Sequence, residues 1–460
     1  MKNNLNLSLL AILIAGATVV SSCSKNDNPG PVDPPPTDSN ESLADSFFDK
    51  VTYRGAFGTT DWTTKWTNYS PKTTVYGAAT EELKGTIATN TTLDATKVYK
   101  LSGFVYVKEG VTLTIPAGTV IRGDKVSKGT LVVTRGAKLM AEGTADKPIV
   151  FTSNLAVGER APGDWGGVIL LGKAPNNLPA GTGVIEGGLT LPEGNHGGTD
   201  AADNSGSLKY VRIEFPGIAF AKDNEINGLT LGSVGTGTTL DYIQVSYSGD
   251  DSFEWFGGTV NAKHLVSIAN IDDVFDFDNG FSGKLQFLVA QRDPSLSDAA
   301  GQSNGIESDN SAGDFTVSPR TRPVISNMTI IGPGTEANNK HEYANLWRRG
   351  SKMVLANSIF IGFRYGLDIR DKETGDALTD GTSLIKNNIY QSFTAGKDVV
   401  ADGTVPSFAN VDLLKAYLTS KGNTIVDQTA AAALLVDPFS FVTPNFLLKA
   451  GSSASAGATF

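Results

Sequence analysis

The sequence has one cysteine, three histidines and few charged residues. Cys23 is its only cysteine among 460 residues, and Asp, Glu, Lys and Arg together contribute 19%. A single cysteine cannot form a disulfide within the chain. Neither a Walker-type phosphate loop nor the Cys/His spacing of a zinc site occurs in the sequence. A P-loop nucleotide site and a structural zinc centre are therefore excluded.

Positive charge and helical periodicity are also scarce. The net charge is -10, which argues against a nucleic-acid partner because such a partner requires a basic surface. Beyond the N-terminal leader, no apolar run approaches the length of a membrane span. What is abundant is glycine, with 51 residues, together with Thr-rich alternating segments. This composition favours a mostly β protein with many turns.

The N-terminal region carries targeting signals. Lys2, an apolar run over residues 9–20 and small residues before Cys23 resemble a bacterial lipoprotein signal, with Cys23 as the acylated residue. Residues 24–42, rich in Pro, Asp and Asn, resemble the surface-export signals of Bacteroidota lipoproteins. We therefore expect a signal peptide over 1–22, a flexible tether over 23–43, and an outer-membrane lipoprotein at the cell surface or on the periplasmic face.

Repeated segments with unequal spacing dominate the rest of the chain. Similar segments begin at Thr112 and Thr130, at Ser207 and Thr239, at Gly249 and Ile271, and at Val324 and Val354. The last series continues at Leu384 and aligns Asn327, Asn357 and Asn387. Each unit is a short alternating strand closed by a turn residue, so it must stack on a neighbour to bury its apolar side. The three asparagines are predicted to form an internal or corner ladder.

The sequences of several coils strengthen this interpretation. The stretches "GVTLTIPAGTVIRG", "GDWGGVILLGKA" and "NFLLKAGSSASAGATF" resemble the first and last coils of secreted β-helix proteins of Bacteroidota. The resemblance covers residues 99–460 and implies an all-β, right-handed parallel β-helix over 98–460. It does not define an activity, because this scaffold carries lyases, hydrolases, adhesins and spacers. Residues 44–97 are expected to form an N-terminal cap, in which Trp62, Trp66 and Tyr69 either pack on the first coil or form a sugar platform.

The repeat that begins at Gly249 and Ile271 combines acids with aromatics. A strand over 250–257 places Asp251, Phe253 and Trp255 on its inner side, with Phe275 and Phe277 of the next coil stacked on the two aromatics. The outward face then stacks acids on acids. Two such charges about 5 Å apart repel by roughly 1 kcal/mol at the dielectric constant of water and by about 3 kcal/mol at an effective value near 20. The sequence therefore predicts a compensating feature at this surface.

Three features can compensate for the repulsion between these stacked acids, and the sequence does not decide among them. Calcium suits clustered oxygens, and its candidate ligands are Asp250, Glu254, Asp272, Asp276 and Asp278. Protonation of one acid would raise its pKa and suit acid catalysis. Solvation, or pairing with Lys263, Lys284 or Arg292, is the third alternative.

Two enzymatic precedents give the catalytic alternative its candidates. Asp250, Asp272 and Asp273 superficially resemble the acid–base pair of polygalacturonase-like glycosidases. However, His196, His264 and His341 do not stand in that family's Gly-His-Gly motif. In calcium-dependent polysaccharide lyases an arginine or lysine removes the proton. The candidates for that role are Arg292, Arg348, Arg349, Arg364 and Arg370, and no motif singles one out.

A polar stretch and an aromatic–basic stretch add binding candidates. Residues 291–315 are expected to form a solvated loop. Trp347, Arg348 and Arg349 follow it and either bind an anionic sugar or form a structural cation–π contact. Together with Glu254, Asp276 and Asp278 they are the predicted binding residues.

These observations predict a lipid-anchored, monomeric β-helix protein that binds a polysaccharide or another surface polymer. An exposed face of parallel strands offers many equivalent positions to a repeating ligand. A polysaccharide lyase or glycoside hydrolase and a calcium-stabilised structural or adhesive protein are the alternatives.

Overall fold

Short strands separated by turns make up most of the chain. The computed structural model describes residue 38 and residues 41–221, 224–401 and 405–460. The N-terminal half contains β1 (Glu81–Ile87), β2 (Thr91–Thr92), β3 (Val98–Val107), β4 (Thr112–Ile115), β5 (Val120–Gly123), β6 (Thr130–Val133), β7 (Lys138–Glu142), β8 (Ile149–Ser153), β9 (Val168–Leu171), β10 (Thr182–Val184), β11 (Asn195–Gly197), β12 (Gly206–Glu214), β13 (Ile218–Ala221), β14 (Asn224–Ile226), β15 (Leu229–Gly232) and β16 (Thr239–Ser246).

The C-terminal half continues the same pattern and adds three helices. Its strands are β17 (Phe253–Phe256), β18 (Ala262–Ile268), β19 (Phe275–Asp278), β20 (Lys284–Gln291), β21 (Ile306–Ser308), β22 (Val324–Ile331), β23 (Tyr343–Trp347), β24 (Val354–Ala356), β25 (Ile359–Phe363), β26 (Tyr365–Ile369), β27 (Leu384–Lys386), β28 (Ile389–Ser392), β29 (Val399–Ala401), β30 (Thr424–Ile425), β31 (Leu435–Asp437) and β32 (Asn445–Leu448). Its helices are α1 (Lys372–Thr379), α2 (Val411–Ser420) and α3 (Gln428–Ala432).

Parallel pairing between successive coils builds three faces. Face A contains β2, β4, β7, the first halves of β12, β16, β18, β20 and β22, and then β24 and β27. Face B contains the first halves of β1 and β3, then β5, β8, the second halves of the same five long strands, and β25, β28 and β30. Face C contains the second halves of β1 and β3, then β6, β9, β15, β17, β19, β21, β23, β26 and β29. The predicted right-handed parallel β-helix is confirmed.

The observed register confirms three of the four predicted repeat alignments. Phe253 lies opposite Phe275, with ring centroids 5.5 Å apart, and β12 with β16 and β22 with β24 also pair in the predicted register. The alignment of Leu113 with Leu131 is wrong as a coil repeat, because Leu113 pairs with Leu139. Residues 112 and 130 instead begin strands on faces A and C, which share the same inward–outward alternation.

A continuous ladder of left-handed residues forms the corner between faces A and B. Its members have φ between 52° and 60° and are Tyr210, Tyr242, His264, Phe287, Asn327, Asn357 and Asn387. The aromatic members stack with centroid distances of 4.5, 4.1 and 5.3 Å. The asparagines continue the ladder, since asparagine tolerates this conformation, and Asn387 Nδ2 donates to Asn357 Oδ1 at 3.4 Å. The predicted asparagine ladder is confirmed at this corner.

Residues 41–76, which we call the strap, lie along the A–B corner. The Gly55 N–H donates to the Asn357 carbonyl at 2.7 Å. The ring of Trp62 lies 5.0 Å from that of His264, and Trp66 lies 5.8 Å from Tyr242. Trp66 is fully buried, so these tryptophans pack against the solenoid and do not form a sugar platform.

The first coil begins earlier than the sequence predicts. Strand β1 pairs with β3 and β2 pairs with β4, so the solenoid strands start at Glu81, before residue 98. The segment over 44–97 thus contains most of the strap and the first strands of the solenoid.

The helices lie near the C-terminal end. Helix α2 begins where the Asn410 side chain accepts from the backbone N–H of Asp412 and Leu413, both at 3.1 Å. Its Leu414 and Leu418 are buried and extend the core. None of the helices within the described ranges has both the length and the apolar character needed to cross a membrane.

Candidate functional site

Strands β17 and β19 carry the acidic repeat on face C. Phe253 and Trp255 point into the core and are fully buried. The strand covers only 253–256, so Asp250 and Asp251 belong to the turn before it. At Gly258, φ is 90° and an added Cβ would lie 2.5 Å from the Val234 carbonyl oxygen. Only glycine fits this turn, which fixes the end of β17.

Three carboxylates occupy successive coils on the outer side of face C. Glu254 lies opposite Asp276, which lies opposite Glu307. We call these three residues the carboxylate row. Adjacent members lie on strands about 4.8 Å apart. Thr230 precedes the row and Leu346 follows it in the same register.

A second group of acids lies at the turn from face B to face C. Asp251 Oδ1 accepts the backbone N–H of Asp273 at 2.7 Å, and the Asp273 side chain accepts the backbone N–H of Asn304. These contacts tie each coil to the next. Asp250 and Asp272 lie beside them, and we call Asp250, Asp251, Asp272 and Asp273 the corner acids.

Burial and mutual repulsion raise the pKa values of these acids. Burial raises the pKa of Asp273 to about 7, and the charge of Asp272 adds to the shift. Burial likewise raises the pKa of Asp278 and of Glu307 to about 8, with contributions from Asp309 and Asp273 respectively. The same causes hold the pKa well above its usual value in Asp250, Asp251, Glu254, Asp272 and Asp276. Near neutral pH the cluster must bind protons or cations.

Two arginines lie at one end of the carboxylate row, where Arg348 contacts Glu307 and Arg349 contacts the neighbouring Asp309. Arg348 Nε also donates to Asp309 Oδ1 at 2.8 Å. Arg349 Nη1 lies 2.6 Å from Asp309 Oδ2. Burial still outweighs the Arg348 charge at Glu307, whose pKa stays raised. Arg349 is the more exposed, with 40% of its side chain accessible.

Arg292 is buried and occupied by backbone contacts. Its Nη1 donates to the carbonyls of Asp272 and Asn304 at 2.6 and 2.8 Å, and its Nη2 donates to the carbonyl of Ile271 at 2.9 Å. Burial lowers its pKa to about 10, although Asp273 and Asp272 oppose that shift. The structure therefore places this lyase-base candidate beneath the site, where it braces the turn that carries Asp272.

Trp347 does not reach the surface, which corrects its assignment as a binding residue. It shares the inward register of Ser308 and Phe277, and its side chain is fully buried in the main core. An inward ring on a β-helix strand cannot stack on an external sugar. Arg348 and Arg349 instead follow the end of β23 and do reach the acidic surface.

The acids fit a calcium site in donor type and spacing. Three sets each bring oxygens within 4.8 Å of one another: Asp250, Asp251 and Asp272; Asp251, Glu254 and Asp276; and Asp273, Asp276 and Glu307. Oxygens bound to one Ca²⁺ at about 2.3–2.6 Å lie at most about 5 Å apart. Asp276 Oδ1 and Thr230 Oγ1 are buried and have no hydrogen-bond partner in the part of the chain described. An added cation would give Asp276 the partner that it lacks.

The sequence does not reveal several members of the site. Glu307 and Asp309 fall within the solvated loop expected over 291–315, but Glu307 lies in β21 and Asp309 directly follows it. Asp251 is expected on the inner side of a strand, but it lies in the turn. The segment "GIES" shares the apolar–acidic alternation of "VFDF". The long insertion between Phe275 and its partner Ile306 hides this signal.

The segment "GQSNG" over 301–305 matches the Gly-x-Ser-x-Gly pattern without forming a nucleophile elbow. Ser303 is fully buried. Its hydroxyl donates to the Ile271 carbonyl at 2.8 Å and accepts the Asp298 N–H at 2.9 Å. Ser303 therefore supports the loop before β21.

Cys23, the predicted lipidation site, lies outside the described residues.

The comparisons with known proteins concern the solenoid. The model of one protein family, described as a pectate-lyase-like beta-helix domain, matches residues 85–432. The match begins within β1 and ends at the last residue of α3. Neither the curated proteins nor the solved structures contain a match to the chain.

Proposed function

Because the chain belongs to the family of pectate-lyase-like β-helix domains, we propose that it binds an acidic polysaccharide on face C through calcium held by its acids. One observation carries the proposal. The carboxylate row and the corner acids form three sets whose buried and half-buried carboxyl oxygens lie within 4.8 Å of one another, and the buried Asp276 Oδ1 has no hydrogen-bond partner among the described residues. Such a cluster must bind protons or cations near neutral pH, and bound cations attract anionic sugars.

The local charge balance supports this role for calcium. Carboxyl groups crowd the site, namely those of Asp250, Asp251, Glu254, Asp272, Asp273, Asp276, Asp278, Glu307 and Asp309. The arginines that oppose them are fewer: Arg292, Arg348 and Arg349. A divalent hard cation bound by six to eight oxygens offsets several of these charges at once. The ligand's own carboxylates would complete its coordination.

The arginines supply the second half of the binding surface. Arg349 is partly exposed beside Asp309, and an arginine can hold a carboxylate through two parallel hydrogen bonds. A uronate unit bound between calcium and Arg349 would meet one cation on each side. Successive coils repeat the same backbone spacing, so they offer similar binding positions to further units of the polymer.

Calcium-dependent binding of polygalacturonate tests the proposal. We expect binding in calcium and at least a tenfold loss either on adding EDTA or in Asp276→Asn, because both treatments remove the bridging cation. Isothermal titration calorimetry measures each affinity, with neutral galactan as the control polymer. Calcium that stabilises the protein without polygalacturonate binding would favour the structural or adhesive alternative.

Catalysis is the second candidate, and the raised pKa values favour it. Asp273, Asp278 and Glu307 have pKa values of about 7 to 8, near the value that suits proton transfer at neutral pH. A lyase would leave unsaturated chain ends, and a hydrolase would leave new reducing ends. Both products can be measured in the same incubations, and their absence at full binding would reject an enzymatic role with this polymer.

We also propose that Cys23 anchors the protein in the outer membrane at the cell surface. The apolar leader, the small residues before Cys23 and the Pro- and Asp-rich tether support this anchoring. Cys23→Ser is expected to move the protein from the membrane fraction to the soluble fraction. Fractionation with immunoblotting measures this shift, and unchanged membrane retention would contradict it.

A further inference from the structure

A cavity of about 460 Å³ opens at the N-terminal end of face C. Its lining includes Tyr106, Lys108, Thr134, Arg135, Glu193 and Asn195. The cavity is separate from the carboxylate row, because Val132, opposite Tyr106, lies three coil steps from Glu254. Its volume falls within the range of about 300–1,000 Å³ that is typical of small-molecule sites.

Arg135 is the distinctive group of this cavity. Across the described ranges it forms no hydrogen bond or ion pair, and its Nε is buried without an acceptor. Its Nη2 lies 3.3 Å from the position of a Cβ added to Gly198, so the glycine leaves room for the guanidinium. A half-buried guanidinium without a carboxylate partner is prepared to bind an external oxyanion.

The other described charged groups at the cavity do not pair with Arg135, so its guanidinium is available to a ligand. Glu109 lies in an ion pair with Lys173 at 3.1 Å, and Lys108 adds a second positive charge to the lining. Glu193 is a further acid of the lining and lies close enough to Tyr106 to raise its pKa, although burial is the larger cause. Arg135 and Lys108 thus suit an oxyanion, while Glu193 and Asn195 can bind hydroxyl groups.

Tyr106 supplies an aromatic surface in the same cavity. Its ring is stacked with that of Phe104 at a centroid distance of 5.9 Å, which fixes its orientation. Cations, hydroxyl-binding groups and an aromatic ring together match the parts of an acidic sugar: its carboxylate, its hydroxyls and its apolar ring face.

We propose that this cavity is a second, metal-independent subsite for an acidic sugar residue, with the sugar's oxyanion bound to Arg135. The choice of a sugar over another oxyanion rests on the proposed function. The cavity itself requires no cation, since Arg135 and Lys108 supply the positive charge. A polymer reaching from the carboxylate row to this cavity would lie along face C.

Binding of free galacturonate in EDTA tests the site, with calorimetry as the readout. We expect wild-type protein to bind galacturonate and Arg135→Gln to bind it at least tenfold more weakly. Arg135→Lys is expected to show an intermediate loss of affinity, because lysine keeps the positive charge but lacks the two parallel N–H donors of the guanidinium group. Lys138→Gln removes an exposed charge outside the cavity lining and is expected to bind like wild type. Thermal melting checks that each variant is folded.

Two comparisons separate this inference from its alternatives. Inorganic sulfate that binds as tightly as galacturonate would overturn the assignment to a sugar. Galacturonate binding that disappears in EDTA, or that is unchanged in Arg135→Gln, would overturn the subsite. Calcium-dependent polygalacturonate binding could persist in those cases, so the two proposals fail separately.

Discussion

Replacing Asp276 with asparagine is expected to stabilise the calcium-free protein at pH 8 by about 1–3 kcal/mol, because it removes one charge from a buried row of like charges. Burial and the charges of Glu307 and Asp273 raise the pKa of Asp276 well above its usual value. The neutral amide of asparagine avoids the free-energy cost of placing a further negative charge in this row. Denaturant unfolding in EDTA measures the change.

The same substitution is expected to remove most of the calcium response. Calcium that binds only the folded state adds about 4 kcal/mol at a free concentration one thousand times its dissociation constant. Asp276 belongs to two of the three oxygen sets, so its loss disrupts both. Asp314→Asn is the matched control, because Asp314 is exposed and bonds only locally to Thr316. An equal calcium response in Asp276→Asn and wild type would contradict the proposed site.

The pH dependence of the calcium-free protein follows from the same pKa shifts. Asp278 binds its proton up to pH of about 8 when folded, whereas an unfolded aspartate releases it near pH of about 4. Between these values the folded state holds more protons, so each such group lowers the free energy of unfolding by about 1.4 kcal/mol per pH unit as pH rises. We expect a decline from pH 5 to 8 in EDTA and a flatter profile in calcium.

Arg292→Ala is expected to lower the free energy of unfolding by about 3–5 kcal/mol, the usual cost of removing one partner from a buried ionic group. The change strips hydrogen bonds from the carbonyls of Ile271, Asp272 and Asn304. It also removes a positive charge that lowers the pKa of Asp272 and Asp273. Urea unfolding at pH 7 measures the loss.

Arg349→Ala supplies the contrast within the same cluster. Its side chain is 40% exposed, and the buried Asp309 keeps its ion pair with Arg348 when Arg349 is removed, so the change is expected to cost about 0–1 kcal/mol. Similar losses in both variants would contradict the bracing role of Arg292. Normal stability with abolished product formation in Arg292→Ala would restore Arg292 as a catalytic candidate.

The repeat register was predictable wherever aromatic or asparagine residues marked it. Phe253 and Phe275 are bulky and inward, so their spacing reports the length of one coil directly. Leu113 and Leu131 carry no such mark, because every face has the same alternation of apolar residues. Their similarity therefore imitates one coil, although the actual coil runs from Leu113 to Leu139.

The candidate site was predictable in part for a similar physical reason. Glu254 and Asp276 lie in consecutive coils of similar sequence, whereas Glu307 follows an insertion that conceals its register. Whether Trp347 points inward depends on which residues of β23 alternate inward and outward. The sequence does not reveal this alternation, because β23 is a short strand between irregular segments. Arg135 carries no motif, since its lack of a partner becomes visible only once the chain is folded.

The strap changes how the solenoid can come apart. A stack held only by nearest-neighbour contacts can fray from either end. Here Asp49 and Asn68 bind Gln286 and Gln244 of middle coils, and the Arg54 guanidinium donates to the Ser453 carbonyl near the other terminus. The strap thus joins middle coils to the C-terminal segment, so opening that end also breaks contacts of the strap, and unfolding becomes a more concerted event.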